Sequence, residues 1–324
     1  MKILRKAALA FLVPTMLASC TANGISGTED ASSDDVVGNA YTIMATFAPV
    51  YDLAKRVAGS RATVINVVGT NEPHDFTIDQ AGADVMAEAE DSKLVVTMGA
   101  GGIDDWASDL APDVTHFSLV PNTPAVTVYT GTDLLGDEEE DPHVWLDLDY
   151  MEAMANSLAE QLKALDPAYA SYYDGNLART LKEYSYVDDM YNALLSAKRK
   201  EILVTSHEAF GYLAREYGFR QMGISGVSDS EADASRIKEI EEEMVAQDIH
   251  YINVESLDEA DTANAIKSDL ENQGFSVELT AINAFEGVDD ESWASGSDYV
   301  DVMLGNLATF AKVLDVDSSA LETE

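Results

Sequence analysis

Between Tyr173 and Leu194 the large apolar residues return every three or four positions, as Tyr173, Leu177, Leu181, Tyr184, Val187, Tyr191 and Leu194, and no proline interrupts the run before Lys200. That spacing predicts one long helix with a single buried stripe. Asp166-Pro167 supplies its start, with aspartate as N-cap and proline at the first helical position. At about 1.5 Å per residue the rod is on the order of 45 Å long. A rod of this kind in mid-chain reads either as an ordinary packed helix or as a strut between two units, and the segments on either side favour the strut.

Before it, residues 41–47, 62–68 and 93–98 are rich in β-branched or apolar residues and read as strands, with helices over 50–58 and 80–89 between them. Asp149, with Glu152 three places on, reads as a capping box opening a helix through Leu162. After it the alternation returns: strand 201–205, helix 208–217 closed by Gly218, helix 235–246, strand 250–254, helix 261–273 closed by Gly274, and strand 275–282. Strands alternating with helices make mainly parallel sheets covered on both faces, and such sheets bind ligands at the carboxyl ends of their strands. The fold class is therefore α/β, two similar lobes with mainly parallel sheets joined by one long linking helix. The lobes are placed at 39–165 and 200–316, the linking helix at 166–199 and a tail at 317–324.

Residues 1–19 are set apart as a targeting segment. Lys2, Arg5 and Lys6 precede an apolar run from Ala7 to Ala18, which is too short to span a bilayer. The run ends in Leu17-Ala18-Ser19-Cys20, which looks like a bacterial lipobox, with Cys20 as the lipidated residue. Cys20 is the chain's only cysteine, so no disulfide can form within the chain. Residues 20–38, rich in Ser, Gly, Asp and Thr, read as a flexible tether to a membrane, outside the cytoplasm. The formal net charge of −40 becomes more negative still once the basic leader is removed, which disfavours nucleic acid and anionic lipid surfaces as partners.

Three of the five histidines share a setting. His74 in Glu72-Pro73-His74-Asp75 and His143 in Asp141-Pro142-His143-Val144-Trp145 each follow an acidic-proline pair, and proline stiffens a loop by fixing its own φ and pushing its neighbour into an extended form. His207, in Ser206-His207-Glu208, falls between a predicted strand and the next helix. Imidazoles from distant loops at one sheet edge point to a single metal ion held between the lobes. The turn from Asn283 to Gly287 follows the last strand at the same edge, where a carboxylate can face His207. His116 and His250 lie in or at predicted strands and read as structural, and Trp145 as core packing beneath the site. Two enzyme signatures fail: His207-Glu208 opens a His-Glu-x-x-His helix, but position 211 is glycine, and Gly99-Ala100-Gly101-Gly102 lacks dinucleotide spacing.

The lipobox, Phe47-Ala48-Pro49-Val50-Tyr51-Asp52, Glu72-Pro73-His74-Asp75-Phe76, Gly99-Ala100-Gly101, Asp141 to Asp147 and Ser206 to Leu213 together resemble the zinc/manganese-receptor family of ABC-importer solute-binding lipoproteins, in the family's order and over nearly all of the chain after Cys20. The resemblance implies a monomeric receptor, not an enzyme, that captures a transition-metal ion and delivers it to a membrane permease. It implies His74 and His143 as ligands from the first lobe and His207 from the second. Many relatives have aspartate where this chain has Asn283, and some zinc receptors place a glutamate at the position of Glu286. Glu286 is therefore taken as the fourth ligand, with Asn283 or water as the alternative. Manganese receptors of the family carry a carboxylate in place of the third imidazole, so His207 favours Zn²⁺, with Mn²⁺ or iron as the alternative. The segment 131–140, histidine-rich in many zinc relatives, is acidic here and has no histidine. A zinc-dependent hydrolase using Glu208 or Glu286 as base, and a surface adhesin, are the competing roles.

Overall fold

The computed structural model describes residues 38–69, 76–130, 139–227, 233–256, 258, 260–287 and 296–317. The leader with Cys20, the tether up to residue 37, the Glu72-Pro73-His74 turn, residues 131–138 of the acidic segment and residues 318–324 lie outside the described residues. Two four-stranded sheets, all parallel, form the frame. The first has β1 (Tyr41–Ala45), β2 (Ala62–Asn66), β3 (Leu94–Thr97) and β4 (His116–Ser118) in the order β2-β1-β3-β4. The second has β5 (Ile202–Thr205), β6 (Arg220–Gly223), β7 (Tyr251–Glu255) and β8 (Glu278–Ile282) in the equivalent order β6-β5-β7-β8. In each, strand order reverses at the inner pair, β1/β3 and β5/β7, which opens a crevice at the carboxyl ends of those strands. The central strands β3 and β5 are buried at every residue, as strands covered on both faces must be.

The helices are α1 (Ala48–Ala58), α2 (Ala83–Glu90), α3 (Leu148–Leu165), α4 (Ala170–Leu195), α5 (Gly211–Glu216), α6 (Ala234–Ala246), α7 (Asp261–Asn272) and α8 (Tyr299–Val313). α4 is the anticipated rod, preceded by a 3₁₀ turn, Pro167–Tyr169, that begins at Asp166. Its 26 residues make about 39 Å, a little shorter than anticipated because the first turn is not α-helical. The buried stripe is Tyr173, Asn176, Thr180, Tyr184, Val187, Tyr191 and Leu195, so Leu177, Leu181 and Leu194 sit at its half-buried flanks. Polar residues enter the stripe because they have work there: Asn176 Nδ2 donates to Val57 O at the end of α1 (3.0 Å), and Thr180 Oγ1 donates to Asn176 O (3.1 Å).

α4 packs against α1 and α3 on the first lobe and against α8 on the second. One apolar cluster therefore runs from Ile43, Leu53, Val95 and Leu158 through Tyr184 and Tyr191 to Leu203, Phe285 and Phe310. The second sheet splits by strand alternation: Leu203 faces this shared core, whereas Ile202 and Val204 face a separate cluster under α6 and α7 with Ile240, Ile252 and Ile266.

Several elements correct the expectations. The N-cap of α3 is Asp147, which accepts from Tyr150 N–H (3.0 Å), and not Asp149; the last residue of the Asp141–Asp147 segment thus starts the next helix. The helix after His207 shrinks to Gly211–Glu216, the strand placed at 250–254 runs Tyr251–Glu255, and the strand placed at 275–282 begins only at Glu278. The strand around His116 is short, His116–Ser118, and the edge strand β6 and the helix α8 have no counterpart in the sequence reading.

Arg56 joins three elements: its guanidinium pairs with Asp52 of α1 (2.5 Å), Glu183 of α4 and Asp298, the N-cap of α8 (2.6 Å). Burial raises the Asp52 carboxyl to about 6 even against this cation. Replacing Arg56 by Ala leaves Asp52 without its counter-charge and is expected to cost about 3 kcal/mol, the low end for breaking a buried pair, measured by urea denaturation. The chain's net charge of −40 adds a second expectation. Raising NaCl from 0.1 M to 1 M shortens the screening length from about 10 Å to about 3 Å and should raise the melting temperature. A flat or falling value would show that self-repulsion does not limit stability.

Candidate metal centre

Among the described residues each lobe sends one imidazole into the crevice, and each is built into its loop by the backbone. On the first lobe the turn after β3 places Gly101 (φ +54) against the chain that carries His143. A Cβ there would lie 2.9 Å from both Glu140 O and Pro142 Cβ, so the conformation and the contact each require glycine. Asp141 then folds back on the histidine two residues later, its Oδ1 accepting from His143 N–H (2.9 Å) and lying 2.7 Å from Nδ1. The other ring nitrogen, Nε2, is 2.6 Å from Glu286 Oε1 of the second lobe. Asp141 and His143 are fully buried.

Trp145 supports this contact from below. Its ring centroid is 5.1 Å from that of His143 and 5.1 Å from that of Phe47. Its indole N–H donates to Ala284 O (2.7 Å), and its own carbonyl accepts from Tyr299 OH (2.6 Å), so the first-lobe motif is clasped by the second lobe at both ends of one residue. Tyr212 of α5 adds a third link, donating to Asp141 O (2.9 Å).

His207 follows β5 directly. Its carbonyl accepts from Thr205 Oγ1 (2.6 Å) and from Gln221 Nε2 of β6 (2.8 Å), which fixes the loop. Nδ1 faces Glu255 Oε1 at 3.6 Å and Glu286 Oε1 at 3.8 Å, and Nε2 lies 3.4 Å from Val227 O. The two imidazole rings stand edge to face, 4.9 Å apart. Glu208 turns away and pairs with Arg236 (3.2 Å), packed over Gly223, where a Cβ would meet the Glu208 Cβ at 2.7 Å.

Glu286 owes its aim to a strained turn. Asn283 Oδ1 accepts from Phe285 N–H (2.6 Å), and Asn306 Nδ2 and Oδ1 hold the Asn283 carbonyl and N–H (2.7 and 2.9 Å). Phe285 takes φ +61, rare for a bulky residue, held there by its buried ring against Tyr299 at 5.7 Å. Asn283, the alternative fourth ligand, thus uses its side-chain oxygen to shape the turn that presents Glu286.

His143, His207 and Glu286 each offer a ligating atom within 4.8 Å of the others, and all three are buried. His74 lies outside the described residues. The carboxylate–imidazole pair formed by Asp141 and His143 is the arrangement that orients metal-bound histidines. Glu255, at the carboxyl end of β7, is the site carboxylate the sequence did not single out. The signal available was its position at a strand end on the ligand edge.

The family model described as ZnuA, zinc-uptake complex component A, periplasmic, matches residues 43–313. The chain belongs to the ZnuA family. Among curated ZnuA-like relatives, the zinc-binding lipoprotein AdcA of Streptococcus pneumoniae is 30% identical over 300 residues, 87% of this chain and 57% of that protein, so this chain spans little more than half of AdcA. The high-affinity zinc uptake system protein ZnuA of Bacillus subtilis is 26% identical over 321 residues, 94% of this chain and 95% of that one. The crystal structure of the Zn(II)-bound ZnuA-like domain of S. pneumoniae AdcA superposes with a TM-score of 0.68 at 28% identity, covering 86% of this chain and all of that domain.

Burial alone would lower the His143 pKa, but the carboxylates of Asp141 and Glu286 on its two nitrogens outweigh it and push the imidazole up to about 10. Because this lies above the ordinary 6.5, the ion-paired ring stabilises the metal-free fold fully below about pH 6.5, and that contribution is lost as pH rises through 10. NMR titration of chelator-treated protein should find His143 still protonated at pH 8, and Asp141→Asn should bring it back toward the ordinary histidine range.

Proposed function

We propose that this protein is the extracytoplasmic receptor of an ABC importer, taking Zn²⁺ from the medium between its two lobes and handing it to a membrane permease. The observation that carries this is the convergence of His143, His207 and Glu286, buried and contributed by both lobes, in a chain of the ZnuA family. Zn²⁺ is cargo here, not a resident cofactor. His74, which follows β2 in the sequence, completes the proposed ligand set. Three imidazoles and one carboxylate suit the tetrahedral preference of Zn²⁺ and fill it, leaving no position for an activated water.

The donors also explain how the site takes up a cation. His143 Nε2 and Glu286 Oε1 stand 2.6 Å apart, hydrogen-bond spacing, whereas two donors on one tetrahedral zinc stand about 3.3 Å apart. Loading therefore removes the proton shared by this pair and opens it slightly, a small loop adjustment instead of a wide hinge. Hydrolysis is disfavoured in this reading because the Glu208 carboxylate is already committed to Arg236.

Attachment is proposed through lipidated Cys20, with residues 20–38 as tether to the outer face of the membrane and the receptor working as a monomer. Among the described residues no helix is long and apolar enough to cross a bilayer.

Metal analysis of protein purified without added metal, followed by competition among Zn²⁺, Mn²⁺ and Fe²⁺, tests the proposal. One Zn²⁺ per chain is expected, with Zn²⁺ preferred. His74→Ala, His143→Ala and His207→Ala should each weaken zinc by more than the roughly 10- to 100-fold typical of losing an outer-shell partner, and Glu286→Gln by a comparable factor. Zinc binding that survives loss of His143 and His207 together would overturn the assignment, and a preference for Mn²⁺ or Fe²⁺ would move the cargo to those ions.

A further inference from the structure

A cavity of about 350 Å³ opens where α1, α4 and the chain entering α8 meet, within the size range of small-molecule pockets. Its wall carries three cations and three carboxylates, so it is neutral as a whole, but the charge is divided. Asp52, Glu183 and Asp298 all converge on the Arg56 guanidinium, Asp52 at 2.5 Å and Asp298 at 2.6 Å. Lys55 of α1 and Arg179 of α4 have no such pairing among the described residues. The Lys55 ammonium stands over the Tyr51 ring, 5.4 Å from its centroid, and Arg179 reaches the side-chain oxygen of Asn176 (2.9 Å). In a chain with 59 acidic residues to 19 basic ones, a basic side chain has acids in plenty to pair with. Two on one cavity wall that take none are turned to something outside the chain, and both are exposed to it.

We infer that this cavity is a second ligand site, for a small organic dicarboxylate held by Arg179 at one end and Lys55 at the other. The planar guanidinium of Arg179 can take a carboxylate through two parallel hydrogen bonds, and the Lys55 ammonium serves as a point charge. Because the two cations come from different helices, a ligand with a carboxylate at each end can meet both, its apolar middle lying against Tyr51 and Phe285 of the same wall. The acidic exterior repels anions at long range, so selection rests on these short-range contacts. None of the lining residues is a metal donor, and the site stands whether or not zinc is the cargo, although Phe285 immediately precedes Glu286.

The test is isothermal titration calorimetry of the full chain, freed of metal by chelator and dialysis so that no heat comes from metal chelation. Malonate, succinate and glutarate are the probes, with acetate and inorganic phosphate for comparison. At least one dicarboxylate should bind once per chain, at least about tenfold more tightly than acetate or phosphate. Lys55→Ala and Arg179→Ala should each weaken it at least about tenfold, the lower end for a hydrogen bond to a charged group. Both side chains are exposed, so the variants should keep the wild-type circular dichroism. NMR should show the amide of Phe285 shifting with the same titration. Absence of binding by all three dicarboxylates, or binding that neither substitution weakens, overturns the site. Phosphate binding as tightly as the best dicarboxylate overturns the ligand class.

Discussion

A buried imidazole with a carboxylate on each nitrogen is the contact around which this protein is arranged. Removing such groups from water costs several kcal/mol per ion, recovered only if the geometry is held closely and the remaining lone pairs are met. The supporting structure does that. Asp141 is locked by its own backbone contacts and by Tyr212, His143 sits on Trp145, and Glu286 leaves a turn fixed by Asn283 and Asn306. Because Asp141 and His143 come from the first lobe and Glu286 from the second, the pair is only as precise as the junction between the lobes.

That junction is a core, not a hinge. The apolar cluster along α4 is continuous from the first sheet to the near face of the second, and Trp145, Tyr191 and Tyr299 each place a hydrogen bond inside it. Swinging the lobes apart would expose large aromatic side chains, at about 25 cal/mol for each Å² of apolar surface. Small displacements of the loops carrying His143, His207 and Glu286 disturb far less of this packing. The α6/α7 side of the second sheet has its own smaller cluster, so what freedom the second lobe has is better placed there than at the interface.

Much of this was legible in the residues. Strand–helix alternation on either side of an uninterrupted helical period determines two parallel sheets and a rod, and the Asp141-Pro142-His143 and Ser206-His207-Glu208 segments mark two of the loops at the ligand edge. What the pattern could not carry is tertiary. β6 is four residues long, starts with Arg220 and has no alternation of its own, yet it supplies Gln221 and Gly223 beneath His207 and Glu208. Asn176 enters the buried stripe of α4 because the end of α1 needs a hydrogen-bond donor there, and Thr180 bonds back to the Asn176 carbonyl, information absent from a periodicity count. The position of Asn283 after the last strand suits a ligand, while its actual contacts depend on Asn306, 23 residues away in α8. Glu255 escaped notice because a glutamate at a strand end carries no local signature.

The acidity of the chain and the chemistry of the site act over different distances. A surface with a net charge of −40 draws cations of every kind toward the protein, but over a range set by the ionic strength, about 10 Å at 0.1 M salt and about 3 Å at 1 M. The donors around His143 and His207 are buried, so mobile ions screen them much less, and their choice among cations depends on ligand type and geometry. Salt should therefore slow encounter with a metal ion more than it changes which ion is retained. Selectivity belongs to a few side chains that the shared core holds in place, and the acidic exterior governs only how often a cation arrives.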